Sequence, residues 1–169
     1  MKRATLTICL LALALLAVPS RSALAGDTIE VELPEIRTHP GEQITLQLLT
    51  GSLTDRGVFS YTLHLVCNSD VILFKRPEKI GTLSADMMVR MSTANPDTVR
   101  IAAASASELK GRGTLLKLEA EILSSGESDL RVAKFTMNEG KIPAKIKPGQ
   151  IVSVVEGESE ESDEENAGD

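Results

Sequence analysis

The 169-residue sequence predicts an all-β domain in which two sheets pack as a sandwich or jelly roll. Apolar and polar residues alternate with a period of two along nearly every segment, which is the pattern of strands with one buried and one hydrated face. Turn-forming residues separate these segments at short intervals, and no regular alternation of strands with helices indicates βα units. The sequence contains nine such strands, and its length suits one domain.

The first 25 residues have the pattern of an export signal. Lys2 and Arg3 supply a positive start, an apolar run follows, and Ala23-Leu24-Ala25 ends the segment with the small residues that signal peptidase reads. The apolar run of about 14 residues is shorter than the roughly 20 that span a bilayer. We therefore expect a cleaved signal peptide over residues 1–25 and no transmembrane segment in the mature chain. The protein is expected to be extracellular, periplasmic or in the cell envelope.

The first half of the domain is predicted to contain four strands, at residues 28–33, 43–50, 58–67 and 71–74. Pro40-Gly41 forms a turn before the second strand. The third strand alternates most clearly. Its predicted inward residues are Phe59, Tyr61, Leu63, Leu65 and Cys67. Its predicted outward residues are Ser60, Thr62, His64 and Val66.

The second half is predicted to contain five strands, at residues 85–93, 98–104, 114–123, 129–137 and 150–155. The Asn95-Pro96-Asp97 turn precedes the strand at 98–104. The segment 114–123 is rich in Leu, Lys, Glu and Ala, which also favour helices. Its strict alternation and the preceding Gly111-Arg112-Gly113 loop favour a strand instead.

Charge is distributed unevenly along the chain. Residues 156–169 include eight acidic side chains and no basic or large apolar one, so we expect a disordered acidic tail. The domain at 26–155 carries 15 basic and 16 acidic residues and is nearly neutral. With so few aromatic residues, it lacks the features that nucleic acid binding requires. Cys67 is the one cysteine left after signal cleavage, and we expect it to be buried.

The sequence contains no catalytic pattern. We find no nucleophile elbow, zinc-protease motif, phosphate loop or calcium loop after the signal. His39 and His64 are too few for a zinc site without a cysteine cluster. Glu119 and Glu121 share a strand face, which indicates a hydrated surface rather than a glycosidase pair. We therefore expect no enzyme activity, no metal and no cofactor.

Several segments together resemble a cohesin domain, the module by which bacterial scaffold proteins capture dockerin-bearing partners. The resemblance covers about residues 29–155. It rests on the order and spacing of Pro40-Gly41-Glu42, the strand-turn-strand at 63–73, the segment 109–119, Leu130-Arg131-Val132, Asn138-Glu139-Gly140-Lys141-Ile142 and the final strand from Gly149. Cys67-Asn68-Ser69 stands where cohesins usually have Tyr-Asp-Pro.

The resemblance implies a nine-stranded jelly roll that binds a dockerin-like protein through the outer face of one sheet. That face includes strands three, five, six and eight in cohesins. Ser60 and Thr62 stand where well-known cohesins carry an Asn and an Asp that hydrogen-bond the dockerin helix. Calcium is expected only as part of the partner. The implied partner-binding residues are Ser60, Thr62, His64, Arg90, Ser92 and Arg100.

Two further functions remain open at the level of sequence. A carbohydrate-binding module, acting in polysaccharide binding or catabolism, has the same sandwich fold. Sugar platforms use exposed Trp and Tyr, but this chain has no Trp, and its one tyrosine, Tyr61, is predicted to point inward. Protein binding is therefore favoured over sugar binding. The third hypothesis is a structural exoprotein without a dedicated ligand.

Overall fold

The computed structural model describes residues 28–155, and these form two β-sheets. The predicted signal peptide and acidic tail lie outside the described residues. A 3-10 turn at Asn138–Gly140 follows β9. The strands in chain order are β1 (Ile29–Glu32), β2 (Glu35–Thr38), β3 (Gln43–Thr50), β4 (Ser60–Val66), β5 (Ile72–Glu78), β6 (Met88–Asn95), β7 (Thr98–Ala104), β8 (Gly113–Ile122), β9 (Gly126–Met137), β10 (Ala144–Lys147) and β11 (Gly149–Ser153).

The two sheets have five and six strands. The five-stranded sheet has the order β10-β1-β3-β8-β5, and the six-stranded sheet has the order β2-β11-β9-β4-β7-β6. The pairs β1/β10 and β2/β11 are parallel, and all other neighbours are antiparallel. The predicted all-β sandwich is confirmed.

The first and last strands each cross from one sheet to the other, which explains why eleven strand segments correspond to nine predicted strands. The crossings occur at Pro34 and Pro148, because proline cannot donate a hydrogen bond to a ladder. If β1 and β2 are counted as one strand, and β10 and β11 as another, the described residues form the nine strands that were predicted. Sequence patterning missed β2 and β10, since each has four residues and too short an alternation to detect.

Gly149 lies where the two crossing strands touch. A β-carbon at this position would overlap the carbonyl oxygen of Pro34 and lie 2.9 Å from the β-carbon of Leu33. The backbone N–H of Gln150 donates to that same Pro34 carbonyl at 3.3 Å. Only glycine permits this close approach between the first and last strands.

The inner faces of both sheets form one apolar core. Tyr61, Leu63 and Leu65 on β4 are buried as predicted, and so is Cys67 just after the strand. The Tyr61 hydroxyl shares a 2.9 Å hydrogen bond with Ser84. The prediction that Phe59 points inward is wrong: this side chain is 43% exposed, because β4 begins only at Ser60 and the preceding residues do not follow its alternation.

Candidate functional site

Four adjacent strands of the six-stranded sheet, β9-β4-β7-β6, align their outward residues in rows. Because Leu63 and its alternating neighbours on β4 are buried, Thr62 and His64 face outward. The register places Thr136, Thr62, Ala102 and Arg90 in one row. The next row contains Lys134, His64, Arg100 and Ser92. We call these rows and their outward neighbours on the four strands the β4 face.

All six residues implied by the resemblance lie on the β4 face. Ser60 begins β4 opposite Ala104 of β7, and Ala104 pairs in turn with Met88 of β6. The other five belong to the two rows just described. Neighbouring strands lie about 4.8 Å apart, so a row across four strands is about 14 Å wide. One binding partner can therefore contact all six positions together.

Two cations on this face were not predicted from the sequence. Arg131 is opposite Val66, and Lys134 is opposite His64, so both point to the outer side. They are three residues apart, and strict alternation would place them on opposite faces. A bulge at Ala133, between the pairs His64/Lys134 and Leu65/Val132, adds the residue that brings both outward.

His64 lies at the centre of this cationic surface. Its side chain is half-buried between Arg100 of β7 and Lys134 of β9. Partial burial lowers the pKa of the His64 imidazole below its ordinary value of 6.5, and the charges of Arg100 and Lys134 lower it further. The imidazole is therefore neutral at pH 7 and offers both a hydrogen-bond donor and an acceptor.

Asn138 fixes the end of the β4 face at which β4 begins. The backbone N–H groups of Phe59 and Ser60 donate to its side-chain oxygen at 2.9 and 3.1 Å. Its amide nitrogen donates to the carbonyl of Gly57. Asn138 has a positive φ of 46°, which asparagine tolerates better than most residues. The turn after β9 thus holds the start of β4 in place.

Exposed apolar side chains accompany the polar rows at the same end of the sheet. Met88, the first residue of β6, is 66% exposed, and Phe59 precedes β4 directly. Ala102 and Ala104 leave the middle of the face without bulky groups. Small, apolar and cationic groups are therefore adjacent on one sheet surface.

The other residues considered from sequence lie away from the β4 face or are inaccessible. The Arg76 guanidinium donates twice to Glu119, at 2.7 and 2.9 Å, and holds the pKa of that carboxyl below its ordinary value. Glu121 pairs with Lys75 at 2.7 Å. Burial, with the charge of Asp97, raises the pKa of the Cys67 thiol to about 11.

Residues 28–155 contain no group of three or more His, Cys, Asp or Glu side chains arranged for a metal ion. His39 lies in the turn before β3, where its Nδ1 is 3.3 Å from the Glu42 carboxylate. No helix among the described residues is long and apolar enough to cross a membrane.

Comparison with known proteins identifies the fold. No protein-family profile and no curated protein matches the chain. A non-cellulosomal cohesin from the archaeon Archaeoglobus fulgidus is similar in structure, with a TM-score of 0.65 and 12% identity over 78% of this chain and 94% of that one.

Two cohesins solved in complex with dockerins are also similar. A type I cohesin from Clostridium thermocellum has a TM-score of 0.62 and 17% identity over 75% of this chain and 95% of that one. The sixth cohesin of scaffoldin B from Acetivibrio cellulolyticus has a TM-score of 0.63 and 9% identity over 75% of this chain and 99% of that one. The predicted cohesin jelly roll is therefore confirmed as the fold.

Proposed function

We propose that this chain is an exported, non-catalytic binding module that recruits a dockerin-like protein through the β4 face. The observation that carries the proposal is the alignment of Ser60, Thr62, His64, Arg90, Ser92 and Arg100 in neighbouring rows of one sheet. In the nine-strand count, β4, β6, β7 and β9 are strands three, five, six and eight. The resemblance to cohesins implies that the partner binds these four strands.

The chemistry of the face supports a protein partner. Ser60 and Thr62 offer hydroxyls that both donate and accept hydrogen bonds. Arg90, Arg100 and Lys134 offer charges that attract carboxylates or carbonyl oxygens on a partner, which favours rapid and specific association. Met88 adds exposed apolar area of the kind that forms the dry centre of an interface. A dockerin-like module with an acidic or acceptor-rich surface fits this combination.

Two cohesins of the same fold were solved with dockerins bound, which supports the choice of partner class. The low identities are consistent with a partner whose contact residues differ from theirs. Thr62 in place of an aspartate removes a negative charge and therefore favours a different partner side chain. Calcium would enter with the partner.

Sugar binding receives no support from the arrangement of aromatic residues. Tyr61 is 2% exposed, and Phe74 is 4% exposed. Among the described residues, Phe59 is the exposed large aromatic side chain, and one ring does not form a platform for several sugar units. Binding to a panel of polysaccharides, measured by calorimetry, is the negative control for the protein partner.

Export is proposed from the charged start, apolar run and Ala23-Leu24-Ala25 pattern. Mass spectrometry of the protein from the secreted or envelope fraction should find Gly26 at its N-terminus. An intact Met1 on exported protein would contradict cleavage.

A matched pair of variants tests the binding face. Thr62→Arg introduces bulk and charge on the β4 face, whereas Thr45→Arg makes the same change on β3, at an exposed outer position of the other sheet. The partner is captured from the envelope fraction, identified, and its purified dockerin-like module is titrated by calorimetry with and without calcium. We expect Thr62→Arg to weaken binding about tenfold or more, because interface energy is concentrated in a few central contacts.

Thr45→Arg should bind as tightly as the unaltered chain, and both variants should keep its melting temperature. Equal affinity of the Thr62→Arg variant and the unaltered chain would contradict the assigned face. Tight binding to a polysaccharide with no protein ligand would contradict the proposed function.

A further inference from the structure

Where β9, β4, β7 and β6 lie side by side, from Arg131 of β9 onward, the outward residues described on the β4 face include four cations and no carboxylate. Glu127 and Asp129 also face outward on β9, but on the part of that strand that pairs with β11. The cations are Arg90, Arg100, Arg131 and Lys134. None of them forms an ion pair within residues 28–155. On the other sheet, by contrast, carboxylates pair with cations at 2.7 to 2.8 Å. The part of the β4 face from Arg131 onward is therefore a surface of unpaired positive charge.

The chain itself contains a segment of complementary charge. The 14 residues that follow Val155 carry eight carboxylates and no basic side chain. They continue from β11, which belongs to the same six-stranded sheet and is separated from β4 by β9 alone. The segment therefore starts at the margin of the sheet that carries the unpaired cations.

The segment is long enough to reach the cations on β9 and β7. β11 ends at Ser153, opposite Gly126 of β9. At about 3.3 Å per residue, Lys134 lies about 26 Å further along β9, and Arg100 lies within about 30 Å once the lateral strand spacing is included. Fourteen extended residues span about 46 Å. Gly157 permits the chain reversal that this path requires.

We infer that the acidic segment 156–169 docks in cis on the β4 face and competes with the partner for it. The competition rests on the proposed function, whereas the docking itself does not. The contact is electrostatic and needs no fixed conformation of the segment. Pairs of exposed charges are individually weak and are screened by salt. The segment should therefore act as a low-affinity cover that a specific partner displaces.

The first experiment measures docking without a partner. Amide and His64 ring NMR signals are compared at 20 and 500 mM salt between the mature chain, a chain ending at Val155, and a full-length control with a neutral segment. In the control, all eight carboxylates are replaced by amides: Glu156→Gln, Glu158→Gln, Glu160→Gln, Glu161→Gln, Asp163→Asn, Glu164→Gln, Glu165→Gln and Asp169→Asn. Low protein concentration minimises contacts between copies.

Docking predicts that truncation shifts the signals of Thr62, His64 and Lys134 at low salt and leaves that of Thr45 unchanged. The pKa of His64 should fall on truncation, because nearby carboxylates stabilise the imidazolium. The neutral-segment control should behave like the truncated chain, and 500 mM salt should remove the difference. Identical spectra for all three proteins at low salt would overturn the inference.

Dilution distinguishes the chain's own segment from that of a second copy. Shift differences that are independent of protein concentration support docking in cis. Differences that vanish on dilution overturn it in favour of contacts between copies. Adding a synthetic peptide of residues 156–169 to the truncated chain should shift the same signals at millimolar concentration. Arg100→Glu with Lys134→Glu in the truncated chain should abolish the peptide response, and an unchanged response would overturn the assigned surface.

The second experiment tests competition. The partner module should bind the truncated chain about two- to tenfold more tightly than the full chain at low salt, since a tethered segment competes at a high effective concentration. Equal affinities would overturn the competition. A partner that binds elsewhere, together with NMR shifts on the β4 face, would contradict the proposed function and leave the docking supported. A partner that binds at the β4 face, without segment-dependent NMR shifts, would support the proposed function and overturn the docking.

Discussion

The outer faces of the two sheets differ in whether their cationic side chains form ion pairs. On the five-stranded sheet, Lys75, Arg76 and Lys147 pair with Glu121, Glu119 and Glu32. On the β4 face, Arg90, Arg100, Arg131 and Lys134 have no carboxylate partner within the described residues. Both faces belong to one sandwich and rest on one core, so the difference lies in the outward side chains alone.

This difference supports the proposal that one outer face is a hydrated surface and the other a binding surface. Paired charges already neutralise each other, and a partner would have to break their contacts before using them. Unpaired cations keep their full attraction for an incoming anion, which raises the association rate and restricts the choice of partner. Total charge does not reveal the distinction, because the domain as a whole is nearly neutral.

Although the outer faces differ, truncating a buried leucine on either inner face should reduce the free energy of unfolding by a similar amount. Leu63 on β4 and Leu118 on β8 are both fully buried in the same core. Leu63→Ala and Leu118→Ala should each reduce the free energy of unfolding by about 2 to 5 kcal/mol, because each leaves a cavity. Urea denaturation measures the loss. A loss below about 1 kcal/mol in either variant would contradict a shared, close-packed core.

The junction of the two sheets should tolerate less change than an ordinary glycine position. Gly149→Ala should cost about 1 to 3 kcal/mol of unfolding free energy, since its β-carbon overlaps Pro34 and Leu33. Gly51→Ala is the matched control, because its nearest neighbour would be 4.0 Å away. Denaturation curves of both variants provide the comparison. Equal stabilities would contradict a close approach between Gly149 and the Leu33-Pro34 backbone.

Removing one arginine from each outer face should lower stability on the five-stranded sheet and should not lower it on the β4 face. Arg76→Gln removes the bidentate contact with Glu119 and should lower the melting temperature. Arg100→Gln removes a cation that has other cations as neighbours and should leave the melting temperature equal or higher. Both effects should shrink at high salt, because the charges are exposed. Calorimetric melting at 20 and 500 mM salt measures them, and a drop for Arg100→Gln would indicate a stabilising contact.

The smallest expected effect is on the titration of His64. Arg100→Gln should raise the pKa of His64 toward its ordinary value of 6.5, because one of the neighbouring positive charges is lost. The unaltered chain should lose a little stability as the pH falls through about 6.5, since the unfolded state then binds more protons than the folded one. No contribution from His64 is expected above that range. NMR titration measures the pKa, and an unchanged value would show that Arg100 is screened from the ring.

Much of the fold and part of the candidate site followed from sequence, because alternation is a local property. The β4 strand shows this clearly: Tyr61 and Leu63 point inward, and Thr62 and His64 point outward, as the pattern predicts. The inward prediction for Phe59 was wrong because this residue precedes the strand, where the alternation of β4 does not apply. The short strands β2 and β10 were not predicted, because four residues are too few to show a clear alternation.

The sequence by itself determined the strands, the residues of the core and the sign of the charge available on each segment. The tertiary structure alone decided which strands are neighbours, and therefore which charges are paired. Arg131 and Lys134 share the β4 face because of a bulge that exists only in register with β4. Arg76 meets Glu119 because β5 pairs with β8, more than forty residues away. Pairing between distant strands depends on contacts that no local pattern encodes, so the two faces became distinguishable only once the chain was folded.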